Sequence, residues 1–300
     1  MTSASPSSIA ALQAIVSPRP AFTPSNPTAP FIPKEAGAFL DTKEMIAIVG
    51  GPGTGKSSSI LWNGGFPNRI WFDFDRNLPR AELPNAIPFW NSEFCDKLAT
   101  PTQGFKCSNR RDAFLIWLRD NHRKFTSEQT VILDSWSLFM DAFDEQTREE
   151  EARLPKNKEG AINNYWFFDR KREYAQVILT TLKACAARVI VTFHEAPDRN
   201  DKGLLTGKIR PLIEGMMKDK IFGYFTDAWR MVVNPYKLDS MGQRINQGSD
   251  FAREAGFYWQ VIRDDVVECK MNANLGVKVR AAGKRYIKAE YTELERIYNT

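Results

Sequence analysis

Histidine is almost absent from this chain: two residues in 300, His122 and His194. Cysteine is nearly as scarce. Cys95, Cys107, Cys185 and Cys269 are far apart and form no paired CxxC knuckle, which argues against a disulfide scaffold and a zinc ribbon and reads as a reducing compartment. Long apolar runs are missing too. The cleanest, Met45–Val49 and Ala113–Leu118, fall well short of the roughly 18 residues a membrane-spanning helix needs. Neither charge sign dominates: 41 Lys and Arg against 36 Asp and Glu leave a net charge of +5, too little by itself to establish a nucleic-acid partner. What is present is an ordinary globular composition, 43% hydrophobic and 26% charged, which excludes disorder as the main state. The chain is long enough for one large domain or two small ones, and it carries neither an internal repeat nor a coiled-coil pattern.

The first 33 residues have no glycine and one charge, Arg19, but hold seven of the 17 prolines and six serines. Proline at that density prevents a continuous helix or a central strand, so residues 1–41 are expected to form a flexible Pro/Ser-rich arm. A signal peptide does not fit, because the basic start is missing and Gln13 breaks the apolar patch Ile9–Val16; a mitochondrial leader fits poorly with a single Arg. A sharper reading docks Phe22 or Phe31 on a neighbouring subunit, but a plain tail is the simpler expectation.

From Thr42 onward, short apolar runs alternate with amphipathic stretches, the pattern of an α/β domain with a mostly parallel sheet. Strands are predicted at Glu44–Val49, Arg69–Phe74, Ala86–Phe89, Thr130–Leu133, Arg188–Phe193, Ala228–Val233, Phe257–Ile262 and Val266–Lys270. The last two flank Arg263-Asp264-Asp265 as a C-terminal β-hairpin. Helices are predicted at Lys56–Trp62, Arg110–His122 and Asn164–Ala186.

The first strand runs into Gly50-Gly51-Pro52-Gly53-Thr54-Gly55-Lys56-Ser57, a match to G-x-x-x-x-G-K-[ST]. Glycines let backbone N–H groups face a phosphate without a Cβ in the way, and a helix starting at Lys56 turns its positive end to the same anion. Gly50 to Ser58 are therefore the expected nucleotide-binding residues, with Lys56 reaching the β- and γ-phosphates and Ser57 ligating Mg²⁺. Chance produces this pattern in roughly one 300-residue chain in a hundred.

In open α/β sheets, ligands sit beyond the carboxyl ends of the strands. Three further ends carry polar residues there: Phe72-Asp73-Phe74-Asp75, Leu133-Asp134-Ser135 and Phe193-His194-Glu195. Asp134, closing an apolar run, suits the water shell of Mg²⁺. Asp73 reads equally well as a cap or a partner of a lysine.

These strand ends resemble the RecA-like P-loop ATPase core across Thr42 to Lys270, and more closely the phage RecA-like single-strand-annealing (Sak-type) AAA-domain proteins. The resemblance implies an α/β RecA-like P-loop NTPase fold binding ATP and Mg²⁺. It makes Asp75 the residue that positions the attacking water, although the bacterial pattern has the longer Glu. It makes Asp134 the metal-site acid and His194, followed by Glu195 as in the phage relatives, the γ-phosphate sensor. The residue after Asp134 is Ser135, whereas AAA+ machines place a catalytic Glu there. His122, ending a basic helix, reads as a helix-end residue.

RecA-like proteins hold single-stranded DNA with two mobile loops, which correspond here to Asp144–Asn163 and Pro197–Lys220. The second carries Lys202, Lys208 and Arg210, with Gly203 and Gly207 for flexibility, and basic loops track a nucleic-acid backbone without reading sequence. Trp166 and Phe167, beside the first loop, read as core residues before base-stacking ones. By the same resemblance Lys270 sits where filaments present a basic residue to a neighbour's γ-phosphate. The domain is expected to end at residue 271, leaving 272–300 as a basic tail: Lys278, Arg280, Lys284, Arg285 and Lys288 occur with no acid between Cys269 and Ala289. If that tail binds DNA, deleting the residues after Val277 flattens the salt dependence of binding.

The resulting expectation is a DNA-stimulated, Mg²⁺-dependent ATPase of phage recombination. It acts as a homo-oligomer, filament or ring, in the host cytoplasm, with no membrane contact and with a phage single-strand-binding protein as a further partner. Two alternatives stay open: a nucleotide kinase, because the Gly-Gly-Pro-Gly-x-Gly-Lys loop also resembles that of adenylate kinases, and a non-catalytic nucleotide-switched scaffold or helicase loader.

Overall fold

A computed structural model describes residues 44–61, 66–75, 87–88, 110–152, 164–200, 202–213, 220–234, 237–238, 244–245, 256–271, 273–281 and 285–299. The expected arm, the residues 153–163 of the first loop and 214–219 of the second lie outside them. Within them, β1 (Met45–Gly50), β2 (Arg69–Asp73), β3 (Ile87–Pro88), β4 (Thr130–Asp134), β5 (Arg188–Arg199), β6 (Leu205–Pro211) and β7 (Asp227–Asn234) alternate with α1 (Lys56–Leu61), α2 (Arg110–Asn121), α3 (Trp136–Ala152) and α4 (Asn164–Ala184). Two short strands, β8 (Lys237–Leu238) and β9 (Arg244–Ile245), pair only with each other. The chain continues through β10 (Gly256–Gln260), α5 (Ala273–Ala281), β11 (Tyr286–Lys288) and α6 (Tyr291–Asn299).

The central sheet runs β11-β10-β7-β1-β5-β4-β2-β3. From β7 to β3 every pairing is parallel, and β10 and β11 add an antiparallel edge. The class read from the sequence, a mostly parallel α/β sheet, is the class observed. Its cause lies in the strands themselves. Met45–Gly50 and Thr130–Asp134 are buried along their whole length, as strands covered on both faces must be.

Alternate residues feed two cores. On one face Ile46, Ile48, Trp71, Ile132, Trp229 and Trp259 pack with Ile60 of α1 and with Leu275, Val279, Leu294 and Ile297 of α5 and α6. On the other face aromatics dominate. Phe72 meets Phe114 and Trp117 of α2 edge-on; Phe74 stacks on Phe139 of α3 at 4.4 Å; Phe193 touches Trp136.

Three sequence expectations are corrected. The stretch Val266–Lys270 is not the second strand of a hairpin. Asp264 Oδ1 accepts from the backbone N–H groups of Val266 and Val267 at 2.9 and 2.7 Å, and this tight turn sends the chain across Ile209 and Ala228, where it makes only isolated bridges. The edge of β10 is taken instead by β11. Second, residues 272–300 are not simply a basic tail. Leu275, Val279, Ile287, Leu294 and Ile297 are buried in the core, because apolar residues spaced three and four apart lie between the basic ones. Third, Pro197–Lys220 is not one loose loop: most of its described part is a two-stranded arm in which β5 pairs antiparallel with β6. Asn200 Oδ1 accepts from the N–H groups of Lys202 and Leu204, and Gly203 turns the chain at φ 75°, a left-handed conformation that glycine takes without strain.

Candidate functional site

The carboxyl ends of β1, β2 and β4 meet at one place, beside His194, where β5 leaves the parallel part of the sheet. β1 and β5 run in register, with Gly50 level with His194, and β2 and β4 do likewise, with Asp73 level with Asp134. The loop after β1 follows a tight path. Gly55 sits at φ 86°, and a Cβ there would stand 2.6 Å from the Phe257 ring, so no other residue fits without displacing one of them. Lys56 folds back into the loop and donates to the carbonyls of Gly50 and Gly51, both at 2.9 Å. Burial lowers the pKa of its ammonium, against the opposing pull of Asp134, Asp75 and Glu195. An ammonium flanked by three carboxylates is placed to exchange them for phosphate.

Ser57 Oγ donates to Asp134 Oδ2 at 2.6 Å, and Thr192 Oγ1 donates to Asp134 Oδ1. Asp134 is fully enclosed, and burial pushes its carboxyl up to about 6, with Asp75 and Asp73 adding repulsion and the two hydroxyl bonds pulling the other way. A serine hydroxyl beside a carboxylate is a hard, all-oxygen pair, the set Mg²⁺ takes when it keeps waters and substrate phosphates as its other ligands. Among the described residues no group of three or more His, Cys, Asp and Glu side chains is arranged to hold a metal, so this pair fits Mg²⁺ bound together with a nucleotide and not a dedicated protein cage.

Asp75 belongs to the same centre, close enough to act on both Lys56 and Asp134. Its Oδ1 accepts from Ser135 N and Oγ at 2.9 and 2.7 Å, and its Oδ2 lies 3.2 Å from His194 Nε2. Burial works upward on Asp75, but the His194 and Ser135 hydrogen bonds outweigh it and hold the carboxyl below its ordinary value. An ionised carboxylate only accepts, so His194 Nε2 carries the proton of that contact. The His194 backbone N–H donates to Ser137 Oγ at 3.1 Å, which ties the middle of β5 to the first turn of α3.

Lys56, Ser57, Asp75, Asp134 and His194 are thus brought together. Lys270 is not. Its backbone pairs with Ala228, which is level with Ala47, three residues or roughly 10 Å short of the end of β1, and its ammonium donates to the carbonyls of Phe222 and Phe225 at 3.2 and 2.5 Å. Lys202 and Lys208 stand exposed on the β5–β6 arm, while Arg210 is half-buried with Nε 3.5 Å from Asp198. His122, immediately after α2, contacts through Nδ1 the carbonyls of Leu118 and Arg119 in the last turn of that helix, as a helix-end residue does.

Sequence reasoning missed three participants. Ser135, read there as the residue after the metal-site acid and as a non-acid, holds Asp75. Thr192, the one polar residue inside the apolar run of β5, holds Asp134, and that isolation was the available signal. Arg230 of β7 forms a two-pronged pair with Glu195, Nε to Oε2 at 2.9 Å and the second prong at 3.3 Å, and Glu195 Oε1 lies 3.3 Å from where a Cβ on Gly51 would stand.

Residues 42–258 match the family described as AAA domain. Among solved structures, a RadB recombinase is similar at 12% identity and a TM-score of 0.35, over 73% of this chain and 89% of that one. A KaiC-like protein of the hyperthermophilic archaeon Pyrococcus horikoshii OT3 is similar at 15% identity and a TM-score of 0.36, over 74% and 79%. A search of curated proteins finds no match. Among the described residues no helix is long and apolar enough to cross a membrane.

Proposed function

Because the chain belongs to the AAA domain family through residues 42–258, we propose that it is a RecA-like Mg²⁺-dependent ATPase whose turnover is stimulated by single-stranded DNA. One observation carries the reading: His194 and the basic arm share a single strand. β5 ends in the sheet at His194, in contact with Asp75, and continues without a break into the hairpin bearing Lys202 and Lys208.

Gly50 to Ser58 would wrap the triphosphate, Lys56 would move from the Gly50 and Gly51 carbonyls to the β- and γ-phosphates, and Ser57 with Asp134 would hold Mg²⁺, which neutralises phosphate charge. Asp75, ionised and aimed at the centre, would accept a hydrogen bond from the attacking water once one of its present donors lets go. His194 exchanges partners most directly, because a γ-phosphate oxygen competes with Asp75 for the same Nε2 proton. That exchange would shift β5 and with it the arm. DNA would be held through its phosphates by Lys202, Lys208 and Arg210, without sequence readout, and the working form would be a homo-oligomer acting in phage recombination or annealing.

The test is phosphate release with and without single-stranded DNA, run beside phosphoryl transfer to nucleoside monophosphates. Release that rises with DNA and no transfer is the expected result; transfer would favour a kinase, and slow release indifferent to DNA would favour a nucleotide-switched scaffold. Lys56→Ala should abolish release, and retained turnover would remove the site.

A further inference from the structure

We propose that Phe257, with Val233 beside it, is the platform on which the base of a bound nucleoside triphosphate stacks. The proposal rests on the nucleotide reading above and supplies the half of the ligand that reading leaves unheld. Lys56, Ser57, Asp134 and the loop glycines all suit a polyphosphate and its cation; none of them recognises a base.

β10 is buried at Tyr258, Trp259 and Gln260, yet Phe257 of the same strand is 43% exposed. The exposure is not a loose surface position. Cδ1 and Cε1 of the ring both lie 2.6 Å from the position of a Cβ on Gly55, so one side of the ring rests on the phosphate loop immediately before Lys56. The remainder faces solvent. Directly opposite on β7 is Val233, 41% exposed, and directly opposed residues of an antiparallel pair put their side chains on one face about 5 Å apart. The two make an apolar patch bordering the loop that would hold the phosphates.

Leaving such a patch in water forgoes roughly 25 cal/mol per Å² of burial, and a nucleobase attached to a triphosphate in the loop has a flat π-face with which to cover it. Stacking on an aromatic ring is tolerant of sequence because every base has such a face. Neither Phe257 nor Val233 has a polar group to read the edge of the base. The ligand class is therefore a nucleoside triphosphate, with ATP and GTP accepted nearly alike.

The 300-residue chain is titrated calorimetrically with ATP, GTP and inorganic tripolyphosphate. Phe257→Ala should weaken ATP and GTP about tenfold each while tripolyphosphate binds as to the unaltered protein, and Phe257→Trp should retain ATP binding. Undiminished ATP binding in Phe257→Ala overturns the proposal. So does an equal loss for tripolyphosphate, which would make the ring a support of the loop. The nucleotide reading fails separately: Lys56→Ala should weaken all three ligands, and if it weakens none, that reading falls whatever Phe257 does.

Discussion

Asp134 illustrates how one residue's environment sets a measurable dependence. Enclosure raises its carboxyl from 3.8 to about 6, so between those two values, without nucleotide, the folded state holds a proton there that the unfolded chain has released. The stability this contributes is full below pH 3.8 and is lost as pH rises through 6, a difference of about 3 kcal/mol across the range. A cation sharing that carboxylate displaces the proton. Mg²⁺ affinity should therefore rise with pH through the titration of Asp134 and level off above it, and Asp134→Asn should remove that part of the rise; a profile unchanged by Asp134→Asn would place the cation elsewhere. His194 makes a second residue-scale prediction. His194→Ala removes the partner of Asp75 Oδ2 but leaves the loop and Lys56 intact, so nucleotide affinity should change by less than about threefold while stimulation by single-stranded DNA is lost. Undiminished stimulation would take the sensor role from His194.

Among the elements, the β5–β6 arm departs most from its sequence reading. Its basic residues and glycines suggested a loop, but strand pairing from Glu195↔Pro211 to Arg199↔Leu205 makes it a projecting hairpin. Periodicity could not announce this, because the arm has no buried face and so no alternation: residues 202–208 are all exposed. Lys202→Glu with Lys208→Glu should weaken single-strand binding and lower the slope of log affinity against log salt by about 1.4, two phosphate contacts at roughly 0.7 each. An unchanged slope would move the DNA contact off the arm. The Glu195–Arg230 pair fastens the base of the same arm to β7, with both side chains about four-fifths enclosed. Arg230→Ala leaves a carboxylate unpaired beside the phosphate loop, and it should weaken ATP binding by repulsion. Adding Glu195→Gln should restore the binding; failure to restore it would mean that Arg230 touches the phosphates itself.

For the whole molecule, the C-terminal region carries a prediction opposite to the one its charge suggested. The basic run from Lys278 to Lys288 spans α5 and β11, whose apolar residues Val279 and Ile287 are buried. α6 completes the same core, and the Tyr291 ring lies 5.0 Å from the guanidinium of Arg188 at the start of β5. Ending the chain after Val277 should therefore prevent folding, read as loss of a cooperative melt, and not merely flatten a salt dependence. Leu294→Ala alone should cost about 2–5 kcal/mol. A truncated chain that melts cooperatively would restore the separate tail.

The sequence alone determined what local chemistry determines: the phosphate loop, the parallel sheet and the acids and histidine at its strand ends, because glycine spacing and fully apolar runs each have one economical structural answer. Tertiary structure decided which of those ends touch. It set Ser135 against Asp75 and Thr192 against Asp134, fastened Glu195 to Arg230, and laid Phe257 on Gly55 across 202 residues of chain. It also turned a basic tail into core and a loop into an arm. These outcomes depend on strand order and register, which no stretch of sequence carries by itself, since a side chain's partner is chosen by where distant strands come to lie.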